Sequence, residues 1–228
     1  RFILIKTNHF MLFEDIVGQN EIKKHLIKSV KEEKISHAQL FLGPPGAGKL
    51  PLAIAYAQYI NCEDKQPEDS CGKCPSCLKY NKLMHPDLHF SFPVTSQQNK
   101  ASSSDNFIDK WRSKVLENPY FTQNQWYEYI GLTKKQGLIS KDESYNIINK
   151  LNFKNFEAEY KVVIVWLAER MNITAGNKLL KVLEEPPPKT LLLLLTANPD
   201  AVLPTIKSRC QTIRFGAIER DILAEALS

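Results

Sequence analysis

Seven residues, Gly43-Pro44-Pro45-Gly46-Ala47-Gly48-Lys49, have the composition of a phosphate cradle. Glycines let consecutive backbone N–H groups curl around an anion, and the lysine brings a positive charge to terminal phosphates. The run fits the Walker A pattern as far as the lysine. The next residue should carry a hydroxyl for Mg²⁺, but it is Leu50, which offers a hard cation no oxygen. A hydrolysing site of this kind also ends a neighbouring strand in acidic residues that hold the metal and orient the attacking water. In the apolar run Val162 to Leu167 those places fall to Trp166 and Leu167, and Glu169 is displaced along the chain. Metal-assisted hydrolysis is therefore not expected. Two readings of the loop stay open. It is a strand-to-helix turn kept for the fold, or a weak ATP, ADP or phosphate site made by Gly43, Pro44, Gly46, Ala47, Gly48 and Lys49.

Cys62, Cys71, Cys74 and Cys77 form a C-x₈-C-x₂-C-x₂-C array. Two-residue gaps let thiolates converge on one ion, and Gly72 and Pro75 suit the tight turns between them, which predicts a tetrahedral Zn²⁺. Four protein ligands close the coordination shell, so the role is structural. The alternative, free thiols or disulfides, fits less well, because three cysteines this close pair awkwardly. His85, before Pro86, is read as a packing or surface residue and left out of the ligand set.

The third feature is Arg209, in Leu203-Pro204-Thr205-Ile206-Lys207-Ser208-Arg209-Cys210. Pro204 can open a short helix that leaves Arg209 near its far end, at the surface. Its rigid donor fork suits a phosphate held by another subunit, although a solvated helix-end cation is the commoner role of such a residue. Asn198 is expected to cap or turn its loop, and Cys210 to be a buried small residue.

These residues need a scaffold that places them. A helix is predicted from Asn20, with Asn20 as its cap and Ile22, Leu26, Ile27 and Val30 on one face. The run Ala38 to Leu42, the glycine loop and Leu52 to Ile60 read as strand, loop and helix. Val162 to Leu167 and Leu191 to Thr196 lack polar alternation, as expected of parallel strands covered on both faces. Asn172 to Glu185, stopped by Pro186-Pro187-Pro188, is the helix between them. The fold class is thus α/β, a doubly wound parallel sheet carrying the glycine loop. Residues 95–137 read as an insertion whose first dozen residues are mobile and whose remainder is rich in Phe, Trp and Tyr. Ser140 and Glu143 read as a capping box, followed by an apolar face of Tyr145, Ile148 and Leu151.

The chain has 228 residues and a net charge of +5, a weak basic excess that permits nucleic-acid contact without requiring it. No run approaches the roughly 18 apolar residues of a membrane span, and Arg1 to Phe10 lacks the features of a secretory signal, so a cytoplasmic location is expected.

Asp15-Ile16-Val17-Gly18-Gln19, Ser36-His37-Ala38 leading into Gly43-Pro44-Pro45-Gly46, the run Leu179-Leu180-Lys181-Val182-Leu183-Glu184-Glu185-Pro186-Pro187, and Ser208-Arg209-Cys210 together resemble the clamp-loader branch of the AAA+ proteins. The four-cysteine module is similar to that of its bacterial members. The resemblance implies a P-loop sheet of RecA-like type and a subunit of the bacterial replicative polymerase, DNA polymerase III. Its role would be to help load the sliding clamp onto primed DNA beside the tau/gamma motor subunits and a delta subunit. The losses at Leu50, Trp166 and Leu167 resemble those of the family's subunits without a working ATPase, which donate the Ser-Arg-Cys arginine, here Arg209, to a neighbouring motor. Such a subunit neither hydrolyses ATP nor polymerises DNA. The implied layout is an extension or remnant at 1–12, an AAA+ domain at 13–215 with its zinc module at about 62–80, and the beginning of a helical lid at 216–228, the family's collar domain being absent. Two other functions are weighed: an active tau/gamma-like motor, and a module gripping single-stranded DNA through the zinc site and the aromatic insertion.

Overall fold

The structure, a computed structural model, describes residues 12–95, 103–132 and 136–225. Residues 1–11 of the extension, residues 96–102 of the first dozen of the insertion, residues 133–135 and the last three residues, 226–228, lie outside the described residues. Five parallel strands carry the fold: β1 (Ala38–Leu42), β2 (Leu88–Ser91), β3 (Lys161–Trp166), β4 (Thr190–Thr196) and β5 (Gln211–Arg214). They lie in the order β2-β3-β4-β1-β5. Every residue of β3 and β4 is buried, as the apolar runs Val162–Trp166 and Leu191–Leu195 within them require.

The helices cover both faces. α1 (Asn20–Lys31) and α2 (Lys49–Asn61) precede α3 (Pro75–Tyr80). α4 (Ile108–Glu117), α5 (Gln123–Tyr129) and α6 (Lys141–Asn152) fill the stretch between β2 and β3. α7 (Ile173–Glu184) links β3 to β4, α8 (Pro204–Lys207) leads into β5, and α9 (Arg220–Glu225) follows it. Apolar residues surround α2, and all of Leu50 to Asn61 is buried, so this helix runs through the core.

Several local expectations change. Asn20 is the first helical residue and not the cap. Gln19 holds the cap position at φ 57°, without a side-chain cap. Its amide Nε2 instead donates to Ala47 O at 3.1 Å and Gly216 O at 2.8 Å, joining the glycine loop to the chain after β5. Ser140 does cap α6, accepting from Glu143 N–H. The Glu143 carboxylate, however, is buried and bonds Ser103 Oγ, Ser104 N–H and Ser104 Oγ across the fold. Burial of α6 runs through Glu143, Ser144, Ile147 and Leu151, while Tyr145 is exposed, because the helix turns its Glu143 carboxylate inward to Ser103 and Ser104. Cys210 is only half-buried, lying beside the α7 and β4 core.

The insertion is part of the domain. Ser103 and Ser104, assigned above to a mobile tract, are pinned by Glu143. Trp111 stacks on Phe92 with ring centroids 4.2 Å apart and meets Trp126 edge-on at 5.2 Å. Trp111 also lies 5.3 Å from Trp166, and Phe121 lies 5.1 Å from Trp166. Trp111, Trp126 and Phe121 are buried, so these rings hold α4 and α5 against the sheet and are not exposed platforms for stacking bases.

Candidate functional sites: a glycine loop, a cysteine cluster and a surface arginine

The glycine loop leaves the carboxyl end of β1, beside β4, where parallel sheets place their ligand crevices. Gly43 N–H donates to Thr196 O at 3.2 Å, and Gly46 and Gly48 sit at φ 78° and 79°, conformations that side chains resist. A Cβ on Gly43 would lie 2.6 Å from both Cβ and the backbone O of Phe215. Gly43→Ala is accordingly expected to destabilise the domain by about 1–3 kcal/mol, because backbone must move to admit the methyl. An unchanged urea midpoint would contradict this contact.

A cavity of about 460 Å³ opens against the loop, lined among others by Lys49, Tyr120, Trp166, Glu169 and Arg170. Lys49 Nζ donates to the loop's own carbonyls, Gly43 O at 2.5 Å and Pro44 O at 2.6 Å. Burial lowers its pKa to about 8, against the opposing charge of Glu169. Tyr120, from the insertion, lies near Gly48 and accepts a 3.1 Å hydrogen bond from Val17 N–H. Glu169 reaches this cavity because the chain turns sharply after β3: Leu167 adopts φ 58° and starts a short turn, Ala168–Arg170. One Glu169 oxygen accepts from Ala197 N–H at 3.2 Å, and the other is buried without a partner among the described residues.

Of the three positions that a metal-dependent ATPase would use, Leu50 and Trp166 are committed to packing and Leu167 lies partly buried against the same core. Leu50 is 4% exposed, and Trp166 is 7% exposed inside the aromatic cluster. Trp166→Asp should therefore destabilise by about 3–5 kcal/mol, since it removes the indole and buries a carboxylate. Chemical denaturation measures this, and a midpoint equal to wild type would show the indole to be dispensable.

The four sulfurs of Cys62, Cys71, Cys74 and Cys77 lie within 4.8 Å of one another. Cys71 Sγ and Cys77 Sγ are 4.0 Å apart, near the edge of about 3.8 Å that a tetrahedron with metal–sulfur bonds of about 2.3 Å requires. No two of them are joined by a disulfide in this structure. Backbone N–H groups point at the sulfurs: Cys71 N to Cys62 Sγ and Cys74 N to Cys71 Sγ at 3.3 Å, and Cys77 N to Cys74 Sγ at 3.4 Å. Gly72 supplies the turn at φ 69°, and Cys74 caps α3 with Pro75 as its first residue. Burial works against ionisation of Cys71, but the N–H groups of Lys73 and Cys74 outweigh it and hold that thiol at about 7. Burial pushes Cys62 and Cys77 up, so their thiolates call for a cation. The cluster can bind a metal ion. His85 is buried against Tyr80 with centroids 4.7 Å apart, in keeping with a packing role.

Arg209 is exposed just after α8. Asn198 caps the short turn Pro199–Ala201. Sequence reasoning did not single out Tyr120 or Gln19 as neighbours of the glycine loop, nor Glu184 as a partner of Arg209, because no local motif marks contacts made across the fold.

A parallel sheet in this order, with a glycine loop between β1 and α2, defines an AAA+ type P-loop domain. The profile of the family described as DNA polymerase III, delta subunit, matches residues 18–219, and the chain belongs to this clamp-loader family, on the delta-prime side. It is 29% identical over 209 residues to the delta-prime subunit of Bacillus subtilis, covering 92% of this chain and 51% of that protein. It is 32% identical over 206 residues to the B. subtilis tau subunit, covering 90% of this chain and 29% of the relative. The chain thus spans about half of one relative and under a third of the other. A solved gamma-subunit-related protein from Thermotoga maritima aligns at 18% identity and a TM-score of 0.48, covering 87% of this chain and 47% of its own. No helix among the described residues is long and apolar enough to cross a membrane.

Proposed function

We propose that this chain is the AAA+ portion of a non-hydrolysing clamp-loader subunit that donates Arg209 to the ATP site of an adjacent tau/gamma motor. The observation that carries this is a contrast within one domain. Leu50 and Trp166, at the metal-binding positions, are core residues, while Arg209 stands at the surface. A rigid guanidinium in that place can neutralise charge developing on a phosphate held by a neighbour. The cysteine cluster holds structural Zn²⁺, for which all-sulfur tetrahedral ligation is well suited. The domain comprises residues 13–215, with a lid beginning at 216. In the assembled loader, beside delta and the motors, the subunit helps to place the sliding clamp on primed DNA, and it works in the cytoplasm.

Residual nucleotide affinity at the glycine loop is compatible with this role, since backbone N–H groups and Lys49 need no metal. Purified protein given ATP and Mg²⁺ is expected to release no phosphate above a protein-free control. Turnover that disappears on Lys49→Ala would overturn the proposal in favour of an active motor.

A further inference from the structure

Arg209 is held on two sides. Its Nε donates to Glu184 Oε1 at 2.9 Å, and Nη2 lies 2.6 Å from the same oxygen as an ion-pair contact. Its Nη1 donates to Thr205 O at 3.0 Å and to Ser208 Oγ at 3.3 Å. A guanidinium has five N–H groups, so these three hydrogen bonds leave the two on Nη2 without a hydrogen-bond acceptor among the described residues. Glu184 is the last residue of α7, and Arg209 lies just beyond α8. The two helices meet where α7 carries Gly176: a Cβ there would come within 2.5 Å of Leu203 Cδ1.

Stability gives little reason for this pairing. The Glu184 side chain is 51% exposed and that of Arg209 36%, so solvent screens their attraction. A carboxylate at a helix C-terminus is also opposed by the helix dipole. What the pair does achieve is geometric. An arginine side chain has many rotamers, and ordering it only at the moment of reaction would carry an entropic cost. Gripping it in advance by Nε and Nη1 holds Nη2 in place to donate to an incoming phosphate oxygen.

We propose that Glu184 is a positioning residue for Arg209, fixing the guanidinium before the neighbouring ATP site closes on it. This rests on Arg209 acting in trans. The test uses the full-length protein assembled with its motor subunits, sliding clamp and primed DNA, and reads kcat and KM for ATP. Glu184→Ala should lower kcat about tenfold with little change in KM. Glu184→Gln, which keeps an acceptor oxygen, should restore at least about half of the rate. In an Arg209→Ala background, Glu184→Ala should have no further effect. An unchanged or raised kcat for Glu184→Ala, or an equal loss in the Arg209→Ala background, overturns the positioning role. An Arg209→Ala variant with full activity removes the trans reading as well, whereas loss with Arg209→Ala alone overturns only the role of Glu184. Thermal melting of each variant accompanies the assay. A midpoint for Glu184→Ala well below wild type, with no rescue by Glu184→Gln, would mark a structural role and also overturn the proposal.

Discussion

Stripping the metal with a strong chelator, or replacing Cys74 by Ser, is expected to lower the stability of the domain by on the order of 5 kcal/mol or more. The stretch from Cys62 to Tyr80 has little regular structure, since α3 spans only Pro75–Tyr80 and starts on a cysteine cap, so the sulfurs share its path with a few hydrogen bonds, such as those of Asp69 with Phe13 and Glu14 N–H and of Ser70 with Gln58. The module is also tied into the core. Tyr80 is fully buried and accepts a 2.8 Å hydrogen bond from Asn61 at the end of α2. Losing the metal would leave two raised-pKa thiols, Cys62 and Cys77, facing each other at the base of that helix. Metal analysis should find one Zn²⁺ per chain, and denaturant midpoints with and without chelator give the loss. Binding must release protons as the thiols ionise, so apparent affinity should fall as the solution is acidified. A metal-free protein that unfolds at the same midpoint would remove zinc from the fold.

The parts of this molecule that are local in sequence were legible there. The glycine loop, the cysteine spacing and the proline-stopped helix α7 depend on neighbouring residues, and uninterrupted apolar runs mark β3 and β4 as buried parallel strands. The Leu50 and Trp166 substitutions could be read as losses of metal ligands, but not as gains of core. For Trp166 that depends on Trp111 and Phe121, from residues 95–137, converging on it. Glu143 shows the same limit. Its spacing from Ser140 matches a capping box, yet its carboxylate is turned to Ser103 and Ser104, some 40 positions earlier. Gln19 took the cap position from Asn20 because its amide bridges the glycine loop and Gly216, a requirement set almost 200 residues away. Contacts at such separations leave no period or motif in the sequence.

The larger kinetic effect is expected at Arg209. In a complete loader, Arg209→Ala should reduce clamp- and DNA-stimulated ATP hydrolysis at the adjoining motor site by about 10³-fold, the scale of an arginine acting in trans on phosphoryl transfer. Arg209→Lys should not restore the rate, since a lysine has neither the planar fork nor the geometry that Glu184, Thr205 and Ser208 now hold. Folding should be spared in both variants, because the side chain is at the surface and its ion pair is screened.

The most direct measurement is single-turnover hydrolysis in a loader whose only competent ATP site is the one facing this subunit, with wild-type protein and with Arg209→Ala. A non-hydrolysing donor of a trans arginine predicts rapid turnover with the first and a loss of about 10³-fold with the second. Equal rates in the two assemblies would contradict it.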